Sequence, residues 1–133
     1  MAYRVKNVIE QMEVDPSRNF TLGKMAQSVN LSPPYFCYLF KTITGVPPAK
    51  YLKSLRMKEA AVLLTTTFLS VKEIVRRVGL TDESHFVRDF KRSYGVTPGE
   101  YRKPRVKAAT QLDSPTNSKF GQLIFLAVYW LLY

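Results

Sequence analysis

Apolar residues recur along this chain at the spacing of helix faces, and the same set of faces is written twice. Val5, Val8, Ile9 and Met12 fall at i, i+3, i+4 and i+7. That spacing predicts an amphipathic helix at the N-terminus; a secretory signal would need a continuous apolar core there. Asp15-Pro16-Ser17-Arg18-Asn19 reads as a loop. Thr21 then caps a short helix burying Leu22, Met25, Ala26 and Val29, and Asn30 suits the left-handed turn after it. Ser32 caps the next helix, with Pro33 at the first position, where its missing N–H is not needed. Phe36, Leu39, Phe40 and Ile43 face inward, and Gly45 ends the helix. Pro47-Pro48 opens a longer helix, roughly 48–64. It buries Tyr51, Leu52, Leu55, Leu63 and Leu64 and leaves Lys50, Lys53, Arg56 and Lys58 outside. The β-branched run Thr65-Thr66-Thr67 is expected to break it.

From Ser70 the pattern returns. Ser70 caps a helix lined by Val71, Ile74, Val75 and Val78, and Gly79 supplies the turn. Thr81 or Asp82 opens the next helix, Phe86, Phe90 and Tyr94 face inward, and Gly95 stops it. Thr97-Pro98 starts a last short helix through Tyr101. Residues 21–51 and 70–101 are thus two copies of one unit. Leu31-Ser32 answers Leu80-Thr81 at an offset of 49, and Phe40-Lys41 and Gly45-Val46 answer Phe90-Lys91 and Gly95-Val96 at 50. The later copy therefore carries one extra residue.

Residues 102–119 lose periodicity and read as a basic, then polar, linker. Residues 123–133 are continuously apolar, but even counted from Phe120 the 14 residues fall short of the ~20 a membrane-spanning helix needs. The segment fits an added helix, half of an interface, or a truncated end. The expected division is a domain over 1–107, with its first unit at about 1–46, the connecting helix at about 48–64 and the second unit at about 69–104. A tail of unassigned role follows over 108–133.

Charge narrows the partner. The 133 residues carry a net +10, and residues 1–107 hold 19 Lys and Arg against 9 Asp and Glu, so that segment accounts for the excess. A duplicated helical unit with this charge fits a polyanion, nucleic acid before membrane. The single cysteine, Cys37, excludes an intrachain disulfide and suits a reducing compartment.

Helix, tight turn and capped second helix make a helix-turn-helix, whose second helix enters the major groove. Rotating away from the buried faces gives the outer ones. In the first copy these are Pro34, Cys37, Tyr38 and Lys41; in the second, Ser84, Val87, Arg88 and Lys91, with Glu83 beside them. Arg88 suits guanine O6 and N7, Glu83 a cytosine amino group, and Val87 or Cys37 a thymine methyl. Tyr38 offers a ring and a hydroxyl. With no Arg or Gln on its outer face, the first copy is expected to read bases more weakly, or more by shape. Lys24, Lys41, Arg76, Arg77, Lys91, Arg102 and Lys103 are the expected phosphate contacts. A connecting helix of about 25 Å sits between groove entries about 34 Å apart, so adjacent turns are reachable, with the duplex bent toward the protein. Nothing points to a metal: His85 has no second His and no Cys at ligand spacing.

These residues resemble the DNA-binding domain of the AraC/XylS family of bacterial transcription regulators, over about residues 3–104. The second copy carries the most specific stretch: Ile74, Val78-Gly79-Leu80, Ser84-His85-Phe86, Phe90-Lys91, Gly95-Val96, Pro98 and Tyr101-Arg102. The first copy matches through Met25-Ala26, Leu31-Ser32, Tyr35-Phe36, Leu39-Phe40-Lys41, Thr44-Gly45 and Tyr51-Leu52. The connecting helix matches through Arg56, Ala60, Leu63 and Leu64. The resemblance implies an all-α tandem of homeodomain-like units, seven helices in two helix-turn-helix subdomains bridged by a long helix. It implies two neighbouring major grooves of double-stranded promoter DNA, contact with RNA polymerase, activation over repression, and residence in the bacterial cytoplasm at the nucleoid. Base contacts carried over are Pro34, Cys37, Tyr38, Glu83, Ser84, Val87 and Arg88. Two positions depart from the family: Val75 stands where Ala is usual, and Pro34 where a base-contacting side chain is usual. The sensor domain most members carry ahead of this one is not in the sequence, so the chain reads as a small stand-alone regulator or a fragment of a larger one. No cofactor, membrane or small-molecule effector site is expected.

The chain is not expected to be an enzyme, and two rival readings carry less support. A repair enzyme could keep such a domain beside a reactive cysteine, but the chain offers no carboxylate pair or phosphate loop. A membrane or protein-interaction module could be built on the apolar tail.

Overall fold

The buried faces build the helices that their spacing predicts. The computed structural model describes residues 1–103; the expected linker and tail over 108–133 lie outside them. The elements are α1 (Ala2–Val14), α2 (Leu22–Ser28), α3 (Pro33–Thr44), α4 (Pro48–Thr66), α5 (Val71–Arg77) and α6 (Glu83–Tyr94), and residues 98–103 are again helical. No strand occurs among the described residues.

Local chemistry sets the ends. Thr21 and Ser32 accept hydrogen bonds from the backbone N–H of Lys24 and Tyr35. Ser70 and Glu73 form a reciprocal capping box, which satisfies two donors at once. Asp82, not Thr81, caps α6 and accepts from the N–H of His85. The extra residue of the second copy is therefore absorbed in the turn, and Ser32 corresponds to Asp82. Gly45 and Gly95 close α3 and α6 in the left-handed conformation at φ 85° and 79°.

Three expectations are corrected. The connecting helix runs two residues past 64, because the threonines bond back along it: Thr66 Oγ1 donates to the Val62 carbonyl at 2.7 Å and Thr67 Oγ1 to that of Leu63 at 2.6 Å. Leu22 is exposed, since it opens the first turn of α2 ahead of the face that Met25, Ala26 and Val29 bury. Arg56 is half-buried and hydrogen-bonded, not an outer charge.

The core follows the duplication. Val5, Val8, Ile9 and Met12 of α1 pack with Met25, Ala26, Val29, Phe36, Phe40 and Leu52. Beyond Leu52 the buried residues are Met57, Ala60, Ala61 and Leu64 of α4 with Ile74, Val75, Val78, Phe86 and Phe90. The long helix thus gives its first half to one unit and its second half to the other. Phe36–Phe40 and Phe86–Phe90 are matched ring pairs at 5.8 and 5.7 Å. Phe40 meets Tyr51 of α4 edge-on at 5.5 Å, and the Tyr51 hydroxyl donates to Glu13 of α1 at 2.5 Å. That bond to a carboxylate is the main reason the Tyr51 phenol is pushed up to about 12.

Candidate nucleic-acid interface

Both second helices are 12 residues long. Each follows a side-chain cap and ends on a left-handed glycine, so their outer faces correspond residue for residue at an offset of 50. On α3, Pro34, Tyr38 and Lys41 are exposed and Cys37 is half-buried. On α6, Ser84, Arg88 and Lys91 are exposed and Val87 is half-buried, with Glu83 exposed at the N-terminal end. Cys37 and Val87 are equivalent positions, and both sit on the margin between the stripe and the core. Lys41 and Lys91 lie in the last turns, where the negative end of the helix dipole favours a cation.

The sequence reading missed one equivalent pair. Tyr35 and His85 also differ by 50, both are exposed, and each contacts the outer residue three positions on. The Tyr35 ring stacks on Tyr38, with centroids at 6.3 Å and planes 16° apart. Arg88 Nη2 lies 3.3 Å from His85 Nδ1. Arginine can only donate, so this contact is a hydrogen bond in the tautomer that leaves Nδ1 unprotonated. An Asp82 carboxylate oxygen lies 3.8 Å from the same atom. The available signal was the i, i+3 spacing on a helix face, where side chains meet.

The other predicted cations divide by element. Lys24 on α2, and Arg76 and Arg77 at the end of α5, are exposed. Arg77 lies close enough to Glu59 of α4 to draw its carboxyl down, against the stronger upward effect of burial and a further push from Asp15. Arg102 is half-buried and Lys103 exposed on the 98–103 helix. Lys53 reaches across from α4 to Asp89 of α6 at 2.8 Å, and that hydrogen bond chiefly holds the Asp89 carboxyl below its ordinary range. Among the described residues no group of His, Cys, Asp and Glu could hold a metal. Nor is any described helix long and apolar enough to cross a membrane.

Two capped, outward-facing second helices on one body define a tandem helix-turn-helix domain. Comparison with known proteins agrees: the helix-turn-helix domain family matches residues 25–104. The transcriptional regulator MtrA of Neisseria gonorrhoeae is 34% identical over 100 residues, spanning 75% of this chain and 33% of that protein. The RCS-specific transcriptional activator RclR of Escherichia coli is 36% identical over 100 residues, spanning 75% of this chain and 35% of that protein. The chain thus corresponds to about a third of either relative. The DNA-binding domain of AdpA, a global transcriptional factor solved with a target DNA, matches with a TM-score of 0.71 at 26% identity, covering 84% of this chain and 96% of that one. The chain belongs to the AraC/XylS family of helix-turn-helix transcription regulators and carries its DNA-binding domain.

Proposed function

We propose that the chain seats α3 and α6 in adjacent major grooves of promoter DNA and regulates transcription there, activating more than repressing. The observation that carries this is the pairing of two helices of equal length, each with a side-chain cap, a left-handed glycine stop and an outer stripe at equivalent positions. The solved AdpA domain on its target DNA supports it, since its fold is shared.

Base readout falls to Arg88, Glu83, Ser84 and Val87 on α6 and to Tyr38, Cys37 and Pro34 on α3. Affinity comes chiefly from phosphates held by Lys24, Lys41, Arg76, Arg77, Lys91, Arg102 and Lys103. At 19 residues, α4 is about 28 Å long. Groove entries about 34 Å apart then call for a duplex bent toward the protein. RNA polymerase is the second macromolecular partner and the bacterial cytoplasm, at the nucleoid, the place of action. Kinship with regulators such as RclR, a transcriptional activator, is what supports this part of the reading.

Selection of bound duplexes from a random pool tests the reading. It should return two short motifs about one helical turn apart, roughly 10 base pairs. Log affinity should fall steeply with log salt as counterions leave the phosphates. A pool that enriches nothing, or a flat salt response, overturns it.

A further inference from the structure

A small loop of the first unit reaches both the connecting helix and the turn of the second unit. Pro16 of this loop is buried. Arg56 of α4 donates from Nε to the Pro16 carbonyl at 2.8 Å and from Nη2 to the Arg18 carbonyl at 3.1 Å. One guanidinium therefore fixes two points of the loop, in the fork geometry that lysine lacks. Inside the loop the Ser17 amide and hydroxyl both donate to the Asp15 carboxylate.

From the other side comes the turn of the second unit. Gly79 has φ +89°, and a Cβ built there would stand 2.5 Å from the Ser17 carbonyl oxygen. No real Cβ contact is that short, so the loop backbone lies directly on the glycine. Around the same junction Glu59 has a buried carboxyl oxygen that no described residue bonds. Its carboxyl is pushed up by burial first and by Asp15 second, with Arg77 opposing. First-unit loop, connecting helix and second-unit turn thus converge within one charged cluster.

We propose that Asp15–Asn19, gripped by Arg56 and seated on Gly79, is the clamp that sets the separation and angle of the two recognition helices, making Arg56 and Gly79 positioning residues for half-site spacing. This rests on the reading that α3 and α6 both enter DNA. Two linked modules gain from each other only when their geometry matches the spacing of their sites. A one-base-pair change moves one site along the duplex and rotates it about the axis, so a rigid clamp reads spacing although it touches no base.

Two measurements test this on the full chain. The first uses no DNA. In a Cys37→Ser background, spin labels at Lys41→Cys and Lys91→Cys report the distance between α3 and α6. The distribution should be narrow with Arg56 present and broader in Arg56→Ala. Arg56→Lys, which keeps charge and stem, should broaden it less and serves if the alanine variant does not fold. An unchanged width in folded variants overturns the clamp.

The second uses the duplex selected from the random pool, resynthesised with one base pair added or removed between its motifs. The parent should lose about ten-fold in affinity or more on either change. Arg56→Lys should bind the selected duplex more weakly, bind single half-sites as before, and discriminate less among the spacings. Full discrimination in the folded variant overturns the clamp while leaving DNA binding intact. A parent that enriches no duplex overturns the DNA reading itself, and the distance measurement still decides the clamp.

Discussion

The two turns of the tandem solve the same bend for different reasons. In the first unit Asn30 takes the left-handed conformation at φ 56°; in the second Gly79 takes it at φ 89°. Asparagine tolerates that region, so the bend alone does not demand glycine. What demands it at 79 is the Ser17 carbonyl, which leaves no room for a Cβ. Equivalent positions in a duplicated fold can thus be constrained by local dihedrals in one copy and by a long-range contact in the other. The recognition helices differ in the same manner. They share length, cap position and stop, but α3 presents stacked tyrosines and α6 a histidine-supported arginine.

The comparison breaks first at the core. Phe40→Ala and Phe90→Ala each empty a fully buried ring site and should cost about 3–5 kcal/mol, by chemical denaturation, in closely matched amounts. A large mismatch would show that the units are not equally packed. The turns come next. Gly79→Ala adds left-handed strain to a backbone collision and should cost about 2–4 kcal/mol. Asn30→Ala should cost only about 1 kcal/mol; equal losses would remove the Ser17 contact from the explanation.

At the interface, Arg88→Ala should lose about 1–3 kcal/mol of discrimination at one or two base pairs with the fold intact. Tyr38→Ala should relax its own half-site less, as scored by selection from a random pool. The reverse order would make α3 the main reader. Lys91→Ala and Lys41→Ala should each weaken all sequences alike and lower the salt slope by about 1.

The smallest effect sits at the junction. Burial raises the Glu59 carboxyl above its ordinary range, so the folded state holds that proton where the unfolded chain releases it. Stability should therefore fall as pH rises from the ordinary glutamate range through the raised value. Glu59→Gln should flatten that slope and gain on the parent as pH climbs, read as melting temperature against pH. Parallel curves would mean the carboxyl is as comfortable folded as unfolded.

Much of the fold is legible in the sequence. The periodic apolar residues named the faces of α1, α3 and α6; Thr21, Ser32 and Ser70 named the starts of α2, α3 and α5, and Gly45 and Gly95 the ends of α3 and α6, because caps and faces are local chemistry. The stop of α4 was misplaced because propensity counts threonine as a helix breaker, whereas here each hydroxyl finds a carbonyl one turn back. The one-residue offset announced an insertion, but only the Asp82 bond located it. Pro34, Cys37, Tyr38, Glu83, Ser84, Val87 and Arg88 follow from rotation about a helix axis, so their placement outward was within reach. Arg56 was not: its two carbonyl partners lie 38 and 40 residues away in the chain, and no periodicity encodes that. Tyr35 and His85 carry only the weak signal of i, i+3 spacing, and neither residue type marks a helix face by itself.

The two second helices have the same length and end on the same kind of stop. Their outer stripes are interchangeable parts. Exchanging residues 33, 34, 35, 37 and 38 with 83, 84, 85, 87 and 88 disturbs neither cap nor stop and leaves the four buried phenylalanines in place. Such a transplant should reverse the order in which the chain reads its two half-sites, so that the mirror arrangement of the same operator becomes the preferred one.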